Sequence, residues 1–534
     1  MSGPGSVGFS QRSSPLGAWG DRAGKWTVAL TVMLPVFIEV MDTSVVNVSL
    51  PHIQGSLNAG LDEVTWVLTS YLVANAIVIP ITGWLASIFG RKRYLLFSLA
   101  LFTVSSVLCG SAPSLEVLVL SRVVQGLAGG ALQPISQAIL LETFPAAEHG
   151  MAMAVFGMGV VMAPITGPVV GGWITDHWSW REIFYINLPV GIAAMCMAVL
   201  VIKDPPYLRR ADSRVDRWGL LLLCVGIGCL QIVLDKGERE DWFESDWIVG
   251  MSTAAVMALA LLVWVELRSE APVVNLRLFK DRSFAVGNLI MFLGFFSLFG
   301  TLVLLPLYLQ KLMGYTALWA GLVLGPGGLA SFAMMPIIGG LMRRGTNPRV
   351  FLGMGLLICA VSIRLMSEFN LQAGFWEISW PRVLLGFGMG MFFVPLTAAA
   401  FAHIPRPQMG YATGIFNLLR NLGGSFGVAF TTTILTQRAQ AHQSFLVEHL
   451  TPFDPQFQAR SGEIMGWLML NRPEMANQTG VLALMYQEVQ RQASMLAFND
   501  AFWMLSLVAG GVVPLVLVFR GLKRMPATGS DGSS

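Results

Sequence analysis

Charge is what this sequence lacks most. Lys, Arg, Asp and Glu together make up 12% of its 534 residues, about half the usual share in soluble domains. The deficit excludes an ordinary soluble globular protein. A net charge of +3 gives no electrostatic footprint for a nucleic-acid partner. Cysteine is scarce too. Cys109, Cys196, Cys224, Cys229 and Cys359 all fall in apolar runs and form no CxxC pair, so they read as small packing residues rather than metal ligands or disulfides. There is no GxxxxGK(S/T) phosphate loop, which argues against ATP as the energy source. HExxH and paired Cys/His clusters are missing as well. A membrane-embedded lipid enzyme would need catalytic groups gathered near one interface, and the sequence offers no such set. No cofactor is implied.

Apolar length is what the sequence has in abundance. A membrane-spanning helix needs about 20 mostly apolar residues. Fourteen stretches qualify: 27–50, 64–88, 94–112, 116–141, 150–174, 183–202, 217–235, 247–267, 284–309, 317–342, 350–369, 380–403, 410–435 and 498–520. They are too long for strands and lack period-two alternation, so the class is an all-α integral membrane protein. The first run is too long for a signal-peptide core and reads as an uncleaved first span. Basic residues cluster in alternate loops, as in Arg91, Lys92 and Arg93, in Lys203 to Arg217, in Arg343 and Arg344, and in Arg520 to Arg524. By the positive-inside rule these loops and both termini are cytoplasmic.

Two acids interrupt the first span, where residues 37–51 read FIEVMDTSVVNVSLP. A carboxylate at mid-bilayer costs roughly 2.5–3.5 kcal/mol, so Glu39 and Asp42 are functional candidates by default. Three residues apart on a helix, they project from roughly one face. Sharing an apolar, partly wet cavity, they would oppose each other's ionisation, and at least one is expected to hold a proton near neutral pH. The competing reading is an acid that snorkels to the outer interface or pairs permanently with an arginine. Arg122, Arg364, Arg382 and Arg420 also lie within or at the edges of spans. Arg364 either snorkels outward or faces a cavity and attracts anions; the same holds for Arg420, in NLLRNLGGSFG beside Asn417.

An internal repeat organises the spans. RVVQGLAGG (122–130) matches RVLLGFGMG (382–390), and PITGWL (80–85) matches PIIGGL (336–341). Span 2 then pairs with span 10 and span 4 with span 12, which leaves a 6+2+6 plan. The expected units are a tail (1–26), a six-helix bundle (27–202), two inserted helices with basic flanks (203–283), a second bundle (284–520) carrying a polar outer loop (436–497), and a tail (521–534). Duplicated halves with a site between them mark many secondary transporters.

Four motifs make the likeness specific. MDTSVVNVSLP (41–51) resembles the first-helix motif of the fourteen-span drug:proton antiporters of the major facilitator superfamily, with Asp42 at the acid position. RVVQGLAGG, with Arg122 and Gln125, resembles the fourth-helix motif. APITGPVVGG (163–172), with Pro164, Gly167, Pro168, Gly171 and Gly172, resembles the antiporter motif of the fifth helix. GWLASIFGRKR (83–93), with Gly83, Gly90, Arg91 and Arg93, resembles the loop motif after helix 2, except that Ser87 stands where the family usually has an acid.

The resemblance extends over about residues 26–520, and within that family the chain resembles the EmrB-type inner-membrane exporters. It implies proton coupling through Asp42 and Arg122, with Glu39 tuning the proton or the substrate. Glu39, Gln125, Arg364, Asn417 and Arg420 are the cavity candidates. It further implies export of hydrophobic or amphipathic compounds across a bacterial inner membrane. Residues 436–497 would meet a periplasmic adaptor (EmrA-like) leading to an outer-membrane channel (TolC-like), or else cap the exit mouth. A dedicated exporter of one endogenous product, such as a fatty acid or siderophore, is the alternative.

Overall fold

The computed structural model describes residues 24–204, 216–269, 272–448, 450–451 and 453–519. Among them the regular structure is entirely helical, as a chain immersed in hydrocarbon requires when every backbone polar group must find its partner internally. The first half comprises α1 (Lys25–Leu57), α2 (Leu61–Phe89), α3 (Arg91–Gly110), α4 (Leu115–Thr143), α5 (His149–His177), the single turn α6 (Glu182–Tyr185) and α7 (Asn187–Val201). Next come α8 (Arg217–Lys236) and α9 (Asp246–Arg268). The second half holds α10 (Arg282–Leu307), α11 (Ala317–Arg343), α12 (Pro348–Met366), α13 (Phe375–Phe401), α14 (Met409–Glu448), α15 (Pro455–Asn471) and α16 (Gln478–Val512).

The core is apolar, as in a soluble protein, but the outer flanks are apolar too. Leu200, Val256 and Met257 are exposed on helix flanks, and Trp218, Trp376 and Trp380 are exposed near helix ends, where indole rings sit at a membrane surface. Each half packs on itself, α1 with α5 and α2 with α4, and α11 with α13 and α10 with α14. The halves meet through α5 on α11 and α2 on α14, while α8 and α9 pair with each other and dock through α8 across the α2–α14 seam.

Thirteen helices among the described residues are long and apolar enough to cross a membrane, one fewer than the sequence count of fourteen. The difference is α14, the helix containing 410–435. It carries Asn417, Arg420 and Asn421 and packs against α2, α4, α8, α10 and α16. These polar residues lower its hydropathy, and Asn417 and Arg420 are buried against protein rather than turned to lipid. The polar stretch between the last two apolar runs is also helical rather than a loop. α14 runs on to Glu448 and α16 begins at Gln478, so the two helices continue past the apolar region with α15 between them. α15 holds to α16 through Ile464, Leu468, Val481 and Met485 and through an Arg460 fork on Glu488, at 2.5 and 3.2 Å.

The halves touch at the ends that carry the basic loops. Gly83 of α2 lies against α14, where a Cβ would fall 2.5 Å from the Tyr411 backbone nitrogen. On the other side, Gly150 and Met151 of α5 meet Gly339 and Met342 of α11. Gly90 turns the chain between α2 and α3 at φ +85°, a conformation that favours glycine.

Candidate functional site

Asp42 and Arg122 form a fully buried ion pair between α1 and α4, with Oδ2 2.5 Å from Nη1. Gln125 donates to Asp42 Oδ1 at 3.0 Å and Asn187, at the start of α7, at 2.7 Å. Both amides also donate to Ser106 Oγ of α3, at 2.7 and 2.8 Å. Arg122 is fixed from three further sides. Nε donates to the Val67 carbonyl at 3.1 Å, Nη1 donates to Gln125 Oε1 at 2.6 Å, and the guanidinium lies 4.1 Å from the Tyr71 ring centroid. Every polar group facing the carboxylate is a donor, which is the arrangement that makes a buried ion pair tolerable. Arg122 Nη2 is left without a partner.

Glu39 lies one turn away but does not share this pocket. Tyr71 Oη donates to it at 3.3 Å, Asn75 Nδ2 at 3.0 Å, and Gln133 Nε2 also donates. The expectation that the two acids face one common cavity is thereby corrected: each has its own donor set, and Tyr71 lies between them, with its hydroxyl on Glu39 and its ring against Arg122. Gln133 leads onward, because its Oε1 accepts from Arg420 Nη2 of α14. A second link between the halves runs from Asn417 Nδ2 to Gln137 Oε1, at 2.6 Å. Glu39, Gln133, Gln137, Asn417 and Arg420 are all buried.

Arg364 stands apart. Its guanidinium is half-exposed, 2.9 Å from Glu368 and 2.7 Å from Ser367 Oγ, at the end of α12. Of the two readings open for it, this geometry matches outward snorkelling, and the cavity assignment of Arg364 is corrected. Arg382, the repeat mate of Arg122, leaves its Nε without a partner.

The helix-packing motifs sit beside the ion pair or beneath it. Gly167 and Gly171 of α5 press on Ser44 and Val45 of α1, next to Asp42; Gly172 has only Val48 near it. Pro164 and Pro168 lie within α5, which stays helical through both. Arg91 pairs with Glu142 of α4 at 2.5 Å, nearly out of solvent, while Arg93 is exposed. Ser87, in the place of the family's acid, donates to the Trp84 carbonyl at 2.7 Å and lies 3.5 Å from Tyr411 Oη.

Sequence reasoning missed Tyr71, Asn75, Ser106, Gln133, Gln137, Glu142 and Asn187. A signal existed for α4. Arg122, Gln125, Gln133 and Gln137 recur at three-, eight- and four-residue steps along an otherwise apolar helix, which is one helical face. Asn187 carried no comparable pattern, being a lone amide at a helix start.

Comparison with known proteins adds the following. Residues 15–428 match the Major Facilitator Superfamily model. The multidrug export protein EmrB of Escherichia coli K12 is 38% identical over 479 residues, which covers 90% of this chain and 91% of that protein. The fatty acid resistance protein FarB of Neisseria gonorrhoeae is 36% identical over 498 residues, which covers 92% of this chain and 94% of that protein. The crystal structure of a double-tryptophan mutant of XylE superposes with a TM-score of 0.61 at 13% identity, over 94% of this chain and 97% of that one.

Proposed function

This chain belongs to the major facilitator superfamily, and from that premise we propose that it is a proton-coupled antiporter exporting hydrophobic or amphipathic compounds across a bacterial inner membrane. The observation that carries the reading is the buried Asp42–Arg122 pair, held by Gln125 and Asn187 on the lining of the first half. A proton arriving at Asp42 cancels the charge that fixes Arg122. The guanidinium, always charged, must then find other acceptors, and α4 is the helix that also reaches α14 through Gln133 and Gln137. Protonation is thereby tied to the contact between the halves. The contacts at the basic ends of α2, α5, α11 and α14 support a state closed toward the cytoplasm, with the acids reached from outside.

The long polar helix α14 is, in this reading, the fourteenth crossing. An even count keeps both termini on the cytoplasmic side. The extensions of α14 and α16, with α15, then stand in the periplasm. There they would engage an adaptor (EmrA-like) and, through it, an outer-membrane channel (TolC-like), completing a tripartite pump. Similarity to FarB favours a second reading, in which the chain exports a narrower set such as fatty acids.

The direct test uses purified protein in liposomes with an imposed pH gradient. Adding substrate to the native protein is expected to drive proton flux, and Asp42→Asn to lose it by at least tenfold. Undiminished coupled flux in the variant would remove Asp42 from the mechanism.

A further inference from the structure

The inserted helix α8 is fastened to both halves at the end opposite the basic loops. Toward α14, Gln231 exchanges hydrogen bonds with Ser425, at 2.9 and 3.1 Å. Just past the helix, Glu238 accepts from Thr436 Oγ1 at 2.7 Å, and Trp242 Nε1 donates to Thr433 Oγ1 at 2.9 Å. Toward α2, Asp235 accepts from Thr69. Beside it Lys236 Nζ donates to Thr65 Oγ1 at 2.6 Å and to the Asp62 carbonyl at 3.4 Å. Lys236 is 5% exposed, yet both of its acceptors are neutral. Among the described residues it forms no ion pair with a carboxylate, and a buried cation without a counter-charge is costly.

Lys236 lines a cleft of about 180 Å³ together with Asp62, Glu63, Trp66, Arg239, Glu240 and Trp247. Drug-sized pockets run to about 300–1,000 Å³, so this cleft suits a small polar group rather than an exported compound. Three helix ends converge there, the first turns of α2 and α9 and the last of α8. Trp66 and Trp247 supply indole rings of the kind that sit at headgroup level. The charges are layered. Lys236 is innermost, 5.1 Å from the Trp66 ring. Arg239 is half-exposed and only loosely paired, 3.8 Å from Asp62 Oδ1. Asp62 and Glu240 are exposed, and Glu63 is turned to the Gly60 N–H at 2.8 Å. The order from the membrane outward is thus indole, cation, carboxylate. A zwitterionic phospholipid has the complementary order, with its phosphate next to the glycerol and its ammonium beyond.

We propose that this cleft is a lipid site at the outer membrane surface of the protein, and that it holds the headgroup of phosphatidylethanolamine. The phosphate supplies the counter-charge that Lys236 lacks and draws Arg239 from its loose pair, through charge-assisted hydrogen bonds. The primary ammonium donates its N–H groups to Asp62 and Glu240. A choline headgroup has no N–H to donate, and a glycerol headgroup has no cation. One wall of the cleft is α2 of the first half, and the other is α8, which is held to α14 of the second. A seated lipid therefore ties the halves together at the outer mouth. The site is separate from the Asp42–Arg122 pair and does not depend on which compound is exported.

The experiment titrates delipidated, full-length protein in detergent with dioleoyl phosphatidylethanolamine and with its choline and glycerol analogues, and counts bound lipid by native mass spectrometry. The first ethanolamine lipid is expected to bind at least fivefold more tightly than either analogue. Lys236→Gln should abolish that preference, and Lys236→Arg should keep part of it. Asp62→Asn/Glu240→Gln alters only exposed carboxylates, so it decides the matter even if Lys236→Gln does not fold. It should turn the preference toward the anionic glycerol lipid. Amide exchange should slow on ethanolamine-lipid binding around residues 62–69 and 233–242 and not around 83–91. Equal affinity of the native protein for the three lipids would overturn the proposal, as would an ethanolamine preference that survives the carboxylate changes. Soluble O-phosphoethanolamine should not reproduce the protection. If it did so at the same concentration as the lipid, the cleft would be a site for a small zwitterion and the lipid assignment would fall.

Discussion

A single ion pair sets the chemistry at the residue scale, and its two members are not equivalent. Asp42 can be neutralised by a proton; Arg122 cannot. Replacing Asp42 by Asn keeps the shape but turns one accepting oxygen into an amide donor that faces other donors, and it leaves Arg122 buried without a counter-charge; breaking a buried pair in this way costs about 3–5 kcal/mol. Removing both charges costs less, because no bare ion remains. Thermal unfolding of the detergent-purified protein should therefore rank native first, Asp42→Asn/Arg122→Gln second and Asp42→Asn last. A double variant no more stable than the single one would mean that Arg122 finds another counter-charge. Asp42, Arg122 and Gln125 were legible in the sequence because charge and amide in an apolar span are anomalies. Their separation from Glu39 was not. A helix places residues 39 and 42 on one face, but which neighbours each meets depends on how α2, α4 and α7 pack, and that information is spread over Tyr71, Asn75, Gln133 and Asn187.

Small residues decide how elements meet. α2 and α14 approach at Gly83, where any side chain would push on the Tyr411 backbone, and the glycine–proline motif of α5 brings its backbone against α1 beside Asp42. The sequence announced these glycines as close-approach sites without saying what approaches. Gly83→Leu is expected to part α2 from α14 at the basic end. On a background with the five native cysteines replaced, a Ser87→Cys probe should then react with a membrane-impermeant maleimide several-fold faster in inside-out vesicles. Unchanged labelling would show that the Gly83 contact does not close that end. α14 was the hardest element to read. Its Asn417 and Arg420 depress its hydropathy because they bind across to Gln137 and Gln133 of the other half, so the feature that weakens it as a membrane span is the one that makes it part of the site. Reporter fusions test its crossing: a phosphatase inserted near residue 460 should be active, and a green fluorescent protein at the C-terminus should glow. The reverse pattern would invert the assigned topology.

Scale up to the whole molecule and the two halves no longer end at the membrane. Forty residues of α14 span about 60 Å, twice the hydrocarbon thickness of about 30 Å, and the thirty-five of α16 reach about 50 Å. Both helices belong to the second half, and both run unbroken from its packed interior into the outer extension. Arg438 and His442 of α14 meet Asp500 of α16 at 3.6 and 2.9 Å, Gln443 meets Tyr486 at 3.0 Å, and α15 is clamped by Arg460 on Glu488. Continuous helices transmit rigid-body rotation, so rocking of the second half must swing the extension with it. The extension also presents Phe453, Trp467, Met469 and Leu470 to its surroundings, more apolar surface than a solvated cap needs. If that surface hands substrate to a periplasmic partner, removing residues 440–490 should leave binding to the purified protein intact while abolishing resistance of intact cells to an exported compound. Resistance that persists after the deletion would show that the outer helices are a cap, and that the halves alone complete the export.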